Sequence, residues 1–469
     1  MECFLRRCRS LLQATPEASP GLHIVLGNEA CDLDSMVSSL AFAYFLSKRP
    51  GSGNAPVPVL NIPRAEFPLR TDNGFLLQES GLTQDALVFR DEVDLPGLHR
   101  EGKLALTLVD HNVLASADTD LEGAVVEVID HHQLERKASP SCSITVETVG
   151  SCATLVMERI MQKAREVLDK QVAVLLYGAI VMDCVNMSPE AGKVTPKDSK
   201  YVIQLESQFP DMPPRGTLFQ SLQNAKFDVS GLTTEQMLLK DLKVATGANL
   251  KLAVSVIYMT LEAFLQRRGL QKELCDFCHK HSYSLVIAMA ISIDEKNEPS
   301  RQLAIYSSSA LFREEMSLAL EKAHSPCLNL SPVCSPYTEI KAYCQGNTLA
   351  SRKKVMPIIK DFLSNQERGA MHCGNPEDLG DLEEQFNTSC SPVTGYSSQQ
   401  CMATRHHRHA AEGSGMEEDS LVPPTPMNSL VEGCPLDRGL PRVSAEAVLE
   451  RFREVADEEC GENRPTRGQ

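Results

Sequence analysis

The chain has no tryptophan, and aromatic residues make up only 5% of its 469 residues. Stacking platforms for nucleotide bases depend on such side chains, so their scarcity disfavours a base-binding module. The sequence also lacks a P-loop and a GxGxxG pattern, which argues against nucleotide binding by either route. No apolar stretch reaches the roughly 20 residues that a membrane-spanning helix needs. The longest, near 172–182, is interrupted by Tyr177 and Gly178.

Positive charge is scarce as well. The chain carries 46 Lys and Arg against 62 Asp and Glu, a formal net charge of −16, whereas nucleic-acid binding needs a concentrated basic face. Residues 371–469 contain no lysine and hold 18 acidic and 8 basic residues. Their Pro-, Gly- and Ser-rich composition predicts an acidic disordered tail over 366–469. An apolar stripe predicts one helix in that tail, at 444–459, suited to docking a protein partner.

The 16 cysteines are scattered from Cys3 to Cys460, and several lie in apolar runs, so they do not indicate a disulfide framework. The N-terminal segment is too short and too charged for a secretory signal and predicts an amphipathic helix instead. We therefore expect a reduced cytoplasmic protein. The CDFCH segment at 275–279 matches a haem-attachment pattern and part of a zinc site, but the missing second ligand pair favours an ordinary helical turn.

Two α/β blocks follow one another along the chain. Short β-branched runs alternate with helical periodicities from residue 22 to about 207, which predicts a parallel sheet. Three prolines predict a linker at 208–216, and a smaller α/β block follows over 217–365. The fold class is therefore α/β, with domains at 1–207 and 217–365 and a tail at 366–469.

Acidic and imidazole side chains come directly after the predicted strands and after one long apolar segment. Because the carboxyl ends of parallel strands meet at one edge of a sheet, we expect these side chains to converge there. Converging carboxylates repel one another, and divalent cations relieve the repulsion; Asp and His together suit Mn²⁺, Mg²⁺, Fe²⁺ or Zn²⁺. So many carboxylates favour two ions that hold and activate a water. The residues concerned are Asp32, Asp34, Asp110, His131, His132 and Asp183.

A single acid at the end of a strand is more often a helix cap or a turn residue. On that reading, Asp34 would cap the helix that begins at Ser35. The whole set is harder to explain in this way, because two Asp-His steps stand about twenty residues apart. We therefore keep the metal site as the prediction and the cap as the alternative for each acid taken alone.

These motifs resemble the DHH phosphoesterase superfamily. The resemblance is carried by IDHH at 129–132, the DxD at 32–34, DHN at 110–112 and GSCAT at 150–154, and SRKK at 351–354 extends it into the second domain. It covers about residues 22–365. Within the superfamily the chain looks like the branch of family II, manganese-dependent inorganic pyrophosphatases. Its whole-chain pattern, including KFDVSGLTTEQML, most resembles the prune family of animal exopolyphosphatases and phosphodiesterases.

The resemblance implies a role for each matching residue. A first domain would hold two ions, Mn²⁺ or Mg²⁺, and a DHHA2-like second domain would bind phosphate. Asp32 would ligate the first ion; Asp34, His131 and Asp183 would ligate the second, and Asp110 would bridge them. His132 would face the phosphate and the leaving oxygen. Arg352, Lys353 and Lys243 would bind phosphate oxygens, which suits a planar guanidinium and mobile ammonium groups.

Three features complicate this assignment. The pyrophosphatases have His at the first motif, where this chain has Asn28, a poorer ligand, so the first ion should bind weakly and pyrophosphate turnover is in question. Lys240 and Lys243 could equally lie on a solvated helix face. The SRKK segment could be the exposed basic start of a helix.

The sequence therefore predicts a metal-dependent exopolyphosphatase that splits short inorganic polyphosphate with a metal-activated water. Two alternatives stay open: a cyclic-nucleotide phosphodiesterase at the same site, and an interaction protein in proliferation and migration that acts through its tail. For the latter, the resemblance implies nucleoside diphosphate kinase as a partner and the nucleus and cell adhesions as further locations. We expect neither a nucleic-acid partner nor a membrane span.

Overall fold

The structure, a computed structural model, describes residues 1–12, 21–49, 53–137, 139–247, 250–293 and 299–372. The tail beyond residue 372, with the predicted helix at 444–459, lies outside the described residues. No helix of the described part is long and apolar enough to cross a membrane.

The first part of the chain forms a parallel sheet flanked by helices, as the alternating pattern predicts. Its five strands lie in the order β2-β1-β3-β4-β5, and every neighbouring pair is parallel. The carboxyl ends of β1, β3 and β4 therefore meet at one edge. The elements are α1 (Glu2–Leu12), β1 (Leu22–Leu26), α2 (Leu33–Ser47), β2 (Ala55–Val59), α3 (Thr71–Glu79), α4 (Leu95–Arg100), β3 (Leu104–Val109), β4 (Val125–Asp130), β5 (Ser143–Val146), α5 (Cys152–Lys163), α6 (Lys170–Asp183), α7 (Pro196–Gln208) and α8 (Arg215–Phe227).

The helices α2 and α6 form the centre of the first core. Both are apolar on almost every face, which is typical of helices that are surrounded by protein. Phe42 of α2 and Ile180 of α6 are completely buried, and both helices pack against α5. This burial fixes the two ends that carry acidic side chains, the start of α2 and the end of α6.

The predicted linker connects α7 to α8. Leu218 and Leu222 of α8 are buried in the core of the first sheet, and the second core begins at Val229. By packing, α8 thus belongs with the first sheet, while the bounds 1–207 and 217–365 stay predictions for the domains.

The second part forms a mixed six-stranded sheet in the order β10-β11-β9-β8-β7-β6, in which only β7 and β8 are parallel. One face packs against α9 and α11, and the other packs against α12 and α13. The α/β prediction is confirmed, although α13 continues past residue 365. The elements are α9 (Thr234–Lys240), β6 (Leu242–Thr246), β7 (Lys251–Ile257), α10 (Leu261–Leu265), α11 (Leu270–His281), β8 (Leu285–Ile293), β9 (Pro299–Tyr306), α12 (Ala310–Glu321), β10 (Leu330–Val333), β11 (Ile340–Gln345) and α13 (Arg352–His372).

Candidate active site

The two acids after β1 have different local roles. Oδ1 of Asp32 accepts a hydrogen bond from the backbone N–H of Ser35 at 3.1 Å, so Asp32 caps α2. Asp34 lies in the first turn of α2 and instead accepts the N–H groups of Cys152 and Ala153 at 2.6 and 2.8 Å. The alternative in which Asp34 caps its own helix is therefore wrong. Asp34 ties α2 to the N-terminus of α5, where the helix dipole favours negative charge.

Gly150, in the GSCAT segment, allows this approach of α5. A Cβ atom at this position would lie 2.3 Å from Sγ of Cys184 and 2.9 Å from the carbonyl oxygen of Lys193. Only glycine leaves room for the chain there, and α5 then starts close enough for Asp34 to accept its first N–H groups.

Asp110 and His131 meet at the ends of β3 and β4. Nε2 of His131 lies 3.2 Å from Oδ1 of Asp110 and 3.7 Å from Oδ2 of Asp34. Asp110 has a backbone φ of +62°, a left-handed conformation that is uncommon outside glycine. Conformational strain of this kind clusters at functional sites, where the surrounding structure holds it.

Asp183 approaches the same cluster from a helix and not from the sheet edge. It is the last residue of α6, and Val185, Asn186 and Met187 then follow with φ values of 48°, 54° and 60°. The long apolar segment that precedes Asp183 is therefore a helix, and its sharp end delivers Asp183 to the cluster. The apolar segment before Asp183 is a buried helix because its length exceeds that of a typical strand.

Burial and mutual repulsion perturb the protonation of the cluster. Burial, followed by the charge of Asp34, raises the pKa of Asp32 and raises that of Asp110 well above its usual range. Burial and the charges of Asp34 and Asp32 likewise raise the pKa of Asp183. Burial disfavours the imidazolium of His131, but Asp110 and Asp34 outweigh it and raise its pKa to about 11. The carboxylates therefore ionise together less readily than isolated ones, and a bound cation would favour their ionised forms.

These residues fit a divalent cation. Oδ2 of Asp183 is buried and accepts no hydrogen bond from any group of the described residues. Oδ1 of Asp110 is buried as well, and it faces Nε2 of His131 at 3.2 Å. Buried carboxylate oxygens without donors are costly. Nδ1 of His131 lies 3.0 Å from the carbonyl oxygen of Val149, which leaves Nε2, on the side of the carboxylates, as the metal-ligating nitrogen. Asp110, His131 and His132 offer ligand atoms within 4.8 Å of one another.

His132 stands beside this cluster and is 57% exposed. Its Nδ1 lies 2.8 Å from Oδ1 of Asp130, and the hydrogen bond to that carboxylate raises the pKa of His132. Asp130 in turn accepts a hydrogen bond from Asn112 at 2.6 Å. The ring is therefore held in one orientation, with Nε2 available to a substrate.

Asn28 is engaged at both ends of its amide. Its Nδ2 donates to Oδ2 of Asp110 at 2.8 Å, and its Oδ1 accepts from the N–H of Cys31 at 3.0 Å. The side chain thus acts toward Asp110 as a hydrogen-bond donor, and its weakness as a metal ligand stays a prediction.

The second domain presents Arg352 in a different setting from the one predicted. Arg352 is only 8% exposed, and its Nη2 lies 2.6 Å from Oδ1 of Asp241, a carboxylate that also accepts a hydrogen bond from Tyr258. The alternative of an exposed basic segment is wrong for Arg352, whereas Lys353 is exposed. Lys243 is half-buried in β6, so it does not belong to a solvated helix face.

Sequence reasoning missed one buried ion pair next to the cluster. Nζ of Lys226 in α8 lies 3.6 Å from Oδ2 of Asp72 in α3, and its positive charge opposes the rise in the pKa of Asp32 and of Asp183. The KFDVSGLTTEQML segment begins with Lys226, but no sequence spacing connects that lysine to Asp72. The CDFCH segment lies in α11, and among the described residues it forms no group that could hold a metal.

Comparison with known proteins identifies both domains. Residues 23–180 match the model of the DHH family, N-terminal domain, and residues 220–362 match that of the DHHA2 domain. The chain is 50% identical over 463 residues to exopolyphosphatase PRUNE1 of Mus musculus, with 97% of each chain covered.

Two further relatives are more distant. Protein prune homolog 2 of Mus musculus is 34% identical over 368 residues, which cover 78% of this chain and 12% of that protein. A manganese-dependent inorganic pyrophosphatase of Methanocaldococcus jannaschii is 30% identical over 172 residues, which cover 35% of this chain and 48% of the pyrophosphatase.

Proposed function

Because the chain belongs to the exopolyphosphatase family that includes PRUNE1, within the DHH phosphoesterases, we propose that it is a divalent-metal-dependent exopolyphosphatase. Its substrate is short-chain inorganic polyphosphate, from which it releases terminal phosphate. The metal is Mn²⁺ or Mg²⁺, in keeping with the manganese-dependent pyrophosphatase among its relatives.

The observation that carries this proposal is the pair of buried carboxylates of Asp110 and Asp183: Oδ2 of Asp183 accepts no hydrogen bond from the described residues, and Oδ1 of Asp110 faces Nε2 of His131. Oδ2 of Asp34 lies 3.7 Å from the same nitrogen, and the charges of Asp34, Asp32 and His131 act on the pKa of Asp183. A bound divalent ion would satisfy these oxygens, neutralise phosphoryl charge and activate a water. As a finer part of the proposal, Asp32 and Asp110 would hold a second ion, which would bind weakly because Asn28 stands where the pyrophosphatases have an imidazole.

The remaining residues act on the substrate in this proposal. His132, oriented by Asp130, gives a proton to the leaving phosphate oxygen. Arg352, Lys353 and Lys243 bind the non-bridging oxygens, because a guanidinium fork and ammonium groups match that charge. Arg352 then contacts substrate while Asp241 keeps its guanidinium from rotating away.

The test measures phosphate release from tripolyphosphate, pyrophosphate and cyclic AMP by the purified full chain, with Mn²⁺ and with Mg²⁺. We expect turnover of tripolyphosphate, and its loss in Asp183→Ala together with loss of Mn²⁺ binding by calorimetry. The matched control is Asp211→Ala, an exposed acid outside the cluster. Full activity of Asp183→Ala would overturn the metal assignment, and a preference for cyclic AMP would favour the phosphodiesterase.

The tail supplies a separate proposal that rests on sequence alone. We propose that its acidic segment, with the helix at 444–459, docks a protein partner such as nucleoside diphosphate kinase, and that the protein acts in the cytoplasm, the nucleus and at cell adhesions. Deletion of 371–469 should abolish binding of that kinase and leave phosphate release unchanged. Unchanged binding would end the docking role.

A further inference from the structure

A short segment between the two domains makes contacts on both sides. On the first side it holds the loop that leads into Asp32. Nε and Nη2 of Arg70 donate to the carbonyl oxygen of Ala30 at 3.1 and 3.0 Å, and Nδ2 of Asn73 donates to that of Cys31 at 2.9 Å. Both donors are buried, so the position of this loop depends on the segment 69–73.

On the other side the same segment binds Lys240, the last residue of α9. Nζ of Lys240 donates to the carbonyl oxygen of Leu69 at 2.6 Å and to Oγ1 of Thr71 at 2.9 Å. Lys240 is only 1% exposed. Burying an ammonium group is expensive unless its donors are used, and here both acceptors belong to the first domain.

The next residue along the chain connects Lys240 to the phosphate-binding side. Nη2 of Arg352 forms an ion pair with the carboxylate of Asp241 at 2.6 Å, and Nη1 of Arg352 donates to the carbonyl oxygen of Asp241. Tyr258 donates to the second carboxylate oxygen at 2.8 Å, so the carboxylate is fixed from two directions. Polar contacts therefore connect the Asp32 loop to segment 69–73 and that segment to Lys240, and they connect Asp241 to Arg352. The peptide bond between Lys240 and Asp241 joins the two sets of contacts.

We propose that Lys240 is a positioning residue that sets the place of Arg352 relative to the Asp32 loop. This inference rests on the proposed function, because Arg352 is there a phosphate ligand. Lys240 touches neither metal ligands nor substrate in this role. It joins the two domains, and without it the distance between Arg352 and the carboxylate cluster could change. A displacement of about 1 Å of a positioning group is costly to catalysis.

The test compares Lys240→Met with the matched control Lys251→Met. Lys251 is a lysine of the same domain whose Nζ also donates to a backbone carbonyl, that of His281, but within its own domain. Binding of inorganic phosphate to the Mn²⁺-loaded full chain is measured by calorimetry. Lys240→Met should weaken phosphate binding about tenfold, the usual effect of losing a group that orients a ligand, while Mn²⁺ binding and the control stay at the wild-type level.

A double-mutant cycle separates positioning from general stability. In an Arg352→Gln background, Lys240→Met should weaken phosphate binding less than about twofold, because the group that it positions is already gone. A full tenfold effect in that background, or wild-type affinity of Lys240→Met, would overturn the proposal. Thr71→Val, compared with Thr71→Ser, removes the bond from the first-domain side and should reproduce part of the loss.

Hydrogen exchange gives a readout that does not depend on the substrate. Lys240→Met should speed amide exchange both in the loop 30–32 and at the start of α13, whereas a purely local role would affect only residues near 70 and 240. If the wild-type chain neither binds nor releases phosphate, the proposed function fails, and exchange at these two distant sites still decides the coupling.

Discussion

Nδ1 of His132 lies 2.8 Å from Oδ1 of Asp130, and the same carboxylate oxygen accepts the backbone N–H groups of His131 and His132. Burial opposes ionisation of Asp130, but these bonds and that of Asn112 outweigh it and lower its pKa to about 2. Asp130 is therefore a permanent anion that orients the imidazole of His132 and holds the backbone of both histidines, without itself lying among the predicted ligands.

Asp130→Asn should lower kcat for tripolyphosphate about 10- to 100-fold, as loss of such an orienting partner usually does. The amide keeps an acceptor but can turn its NH₂ group toward His132, which disturbs the tautomer. Steady-state kinetics and Mn²⁺ calorimetry check this, with Asp211→Asn as the control. Wild-type kcat in Asp130→Asn would show that the orientation of His132 does not matter.

Removing charge from the cluster should stabilise the metal-free protein. Burial and the charges of Asp34 and Asp32 raise the pKa of Asp110, and the contact with His131 offsets this rise only in part. Asp110→Asn removes the repulsion from Asp34 and Asp32. In the presence of a metal chelator, the free energy of unfolding of the variant should therefore exceed that of wild type by about 1–2 kcal/mol, and its unfolding temperature should be higher. Thermal unfolding with and without Mn²⁺ measures both effects. Mn²⁺ should stabilise the wild type and leave the variant nearly unchanged; a lower unfolding temperature of the chelated variant would contradict this explanation.

Asp34 should be more important for stability than Asp183, although both belong to the predicted ligand set. Asp34 accepts two N–H groups at the start of α5 and the hydroxyl of Ser38, so Asp34→Ala should cost at least about 1–2 kcal/mol of the metal-free unfolding free energy, the value of a lost cap. Asp34→Asn keeps one acceptor and should lose less. Denaturant unfolding of both variants and Asp183→Ala gives the order; equal losses for Asp34→Ala and Asp183→Ala would refute the second role of Asp34.

Much of the fold and part of the site could be predicted from the sequence. The parallel sheet follows from alternating strands and helices, and the positions of Asp110 and His131 follow from the rule that parallel strands end at one edge. Asp34 was placed correctly in the cluster, but its bonds to Cys152 and Ala153 join residues more than a hundred positions apart. No local pattern reports such a contact.

The second domain was harder because its important contacts are non-local and polar. Charged residues are almost always exposed, so a lysine next to Asp241 suggested a solvated helix face. In the structure Lys240 is buried against segment 69–73, and Arg352 is paired with Asp241. Composition and periodicity describe which face of an element is apolar, but they do not identify the partner that satisfies a buried charge.

The burial of Lys240 gives stability a pH dependence of known sign. Burial lowers the pKa of Lys240 to about 8, against roughly 10.4 in an unfolded chain. The positive charges of Lys226 and Arg70 add to this effect, and the negative charges of Asp72 and Asp241 offset it only in part. Between these values the unfolded state binds more protons than the folded state, so the unfolding free energy rises with pH; below about pH 8 the full cost of the buried charge is present.

Wild type should therefore gain stability relative to Lys240→Met as the pH rises from about 8 to about 10, by an amount on the order of 1–3 kcal/mol. In the difference between the two free energies of unfolding, the contributions of groups that titrate alike in both proteins cancel. Denaturant unfolding at several pH values measures it, and Lys251→Met should keep a constant difference from wild type. If the curves of wild type and Lys240→Met stay parallel, the ammonium of Lys240 is not buried as described. Such a result would also remove the basis for the proposal that Lys240 holds Arg352 in place relative to the first domain.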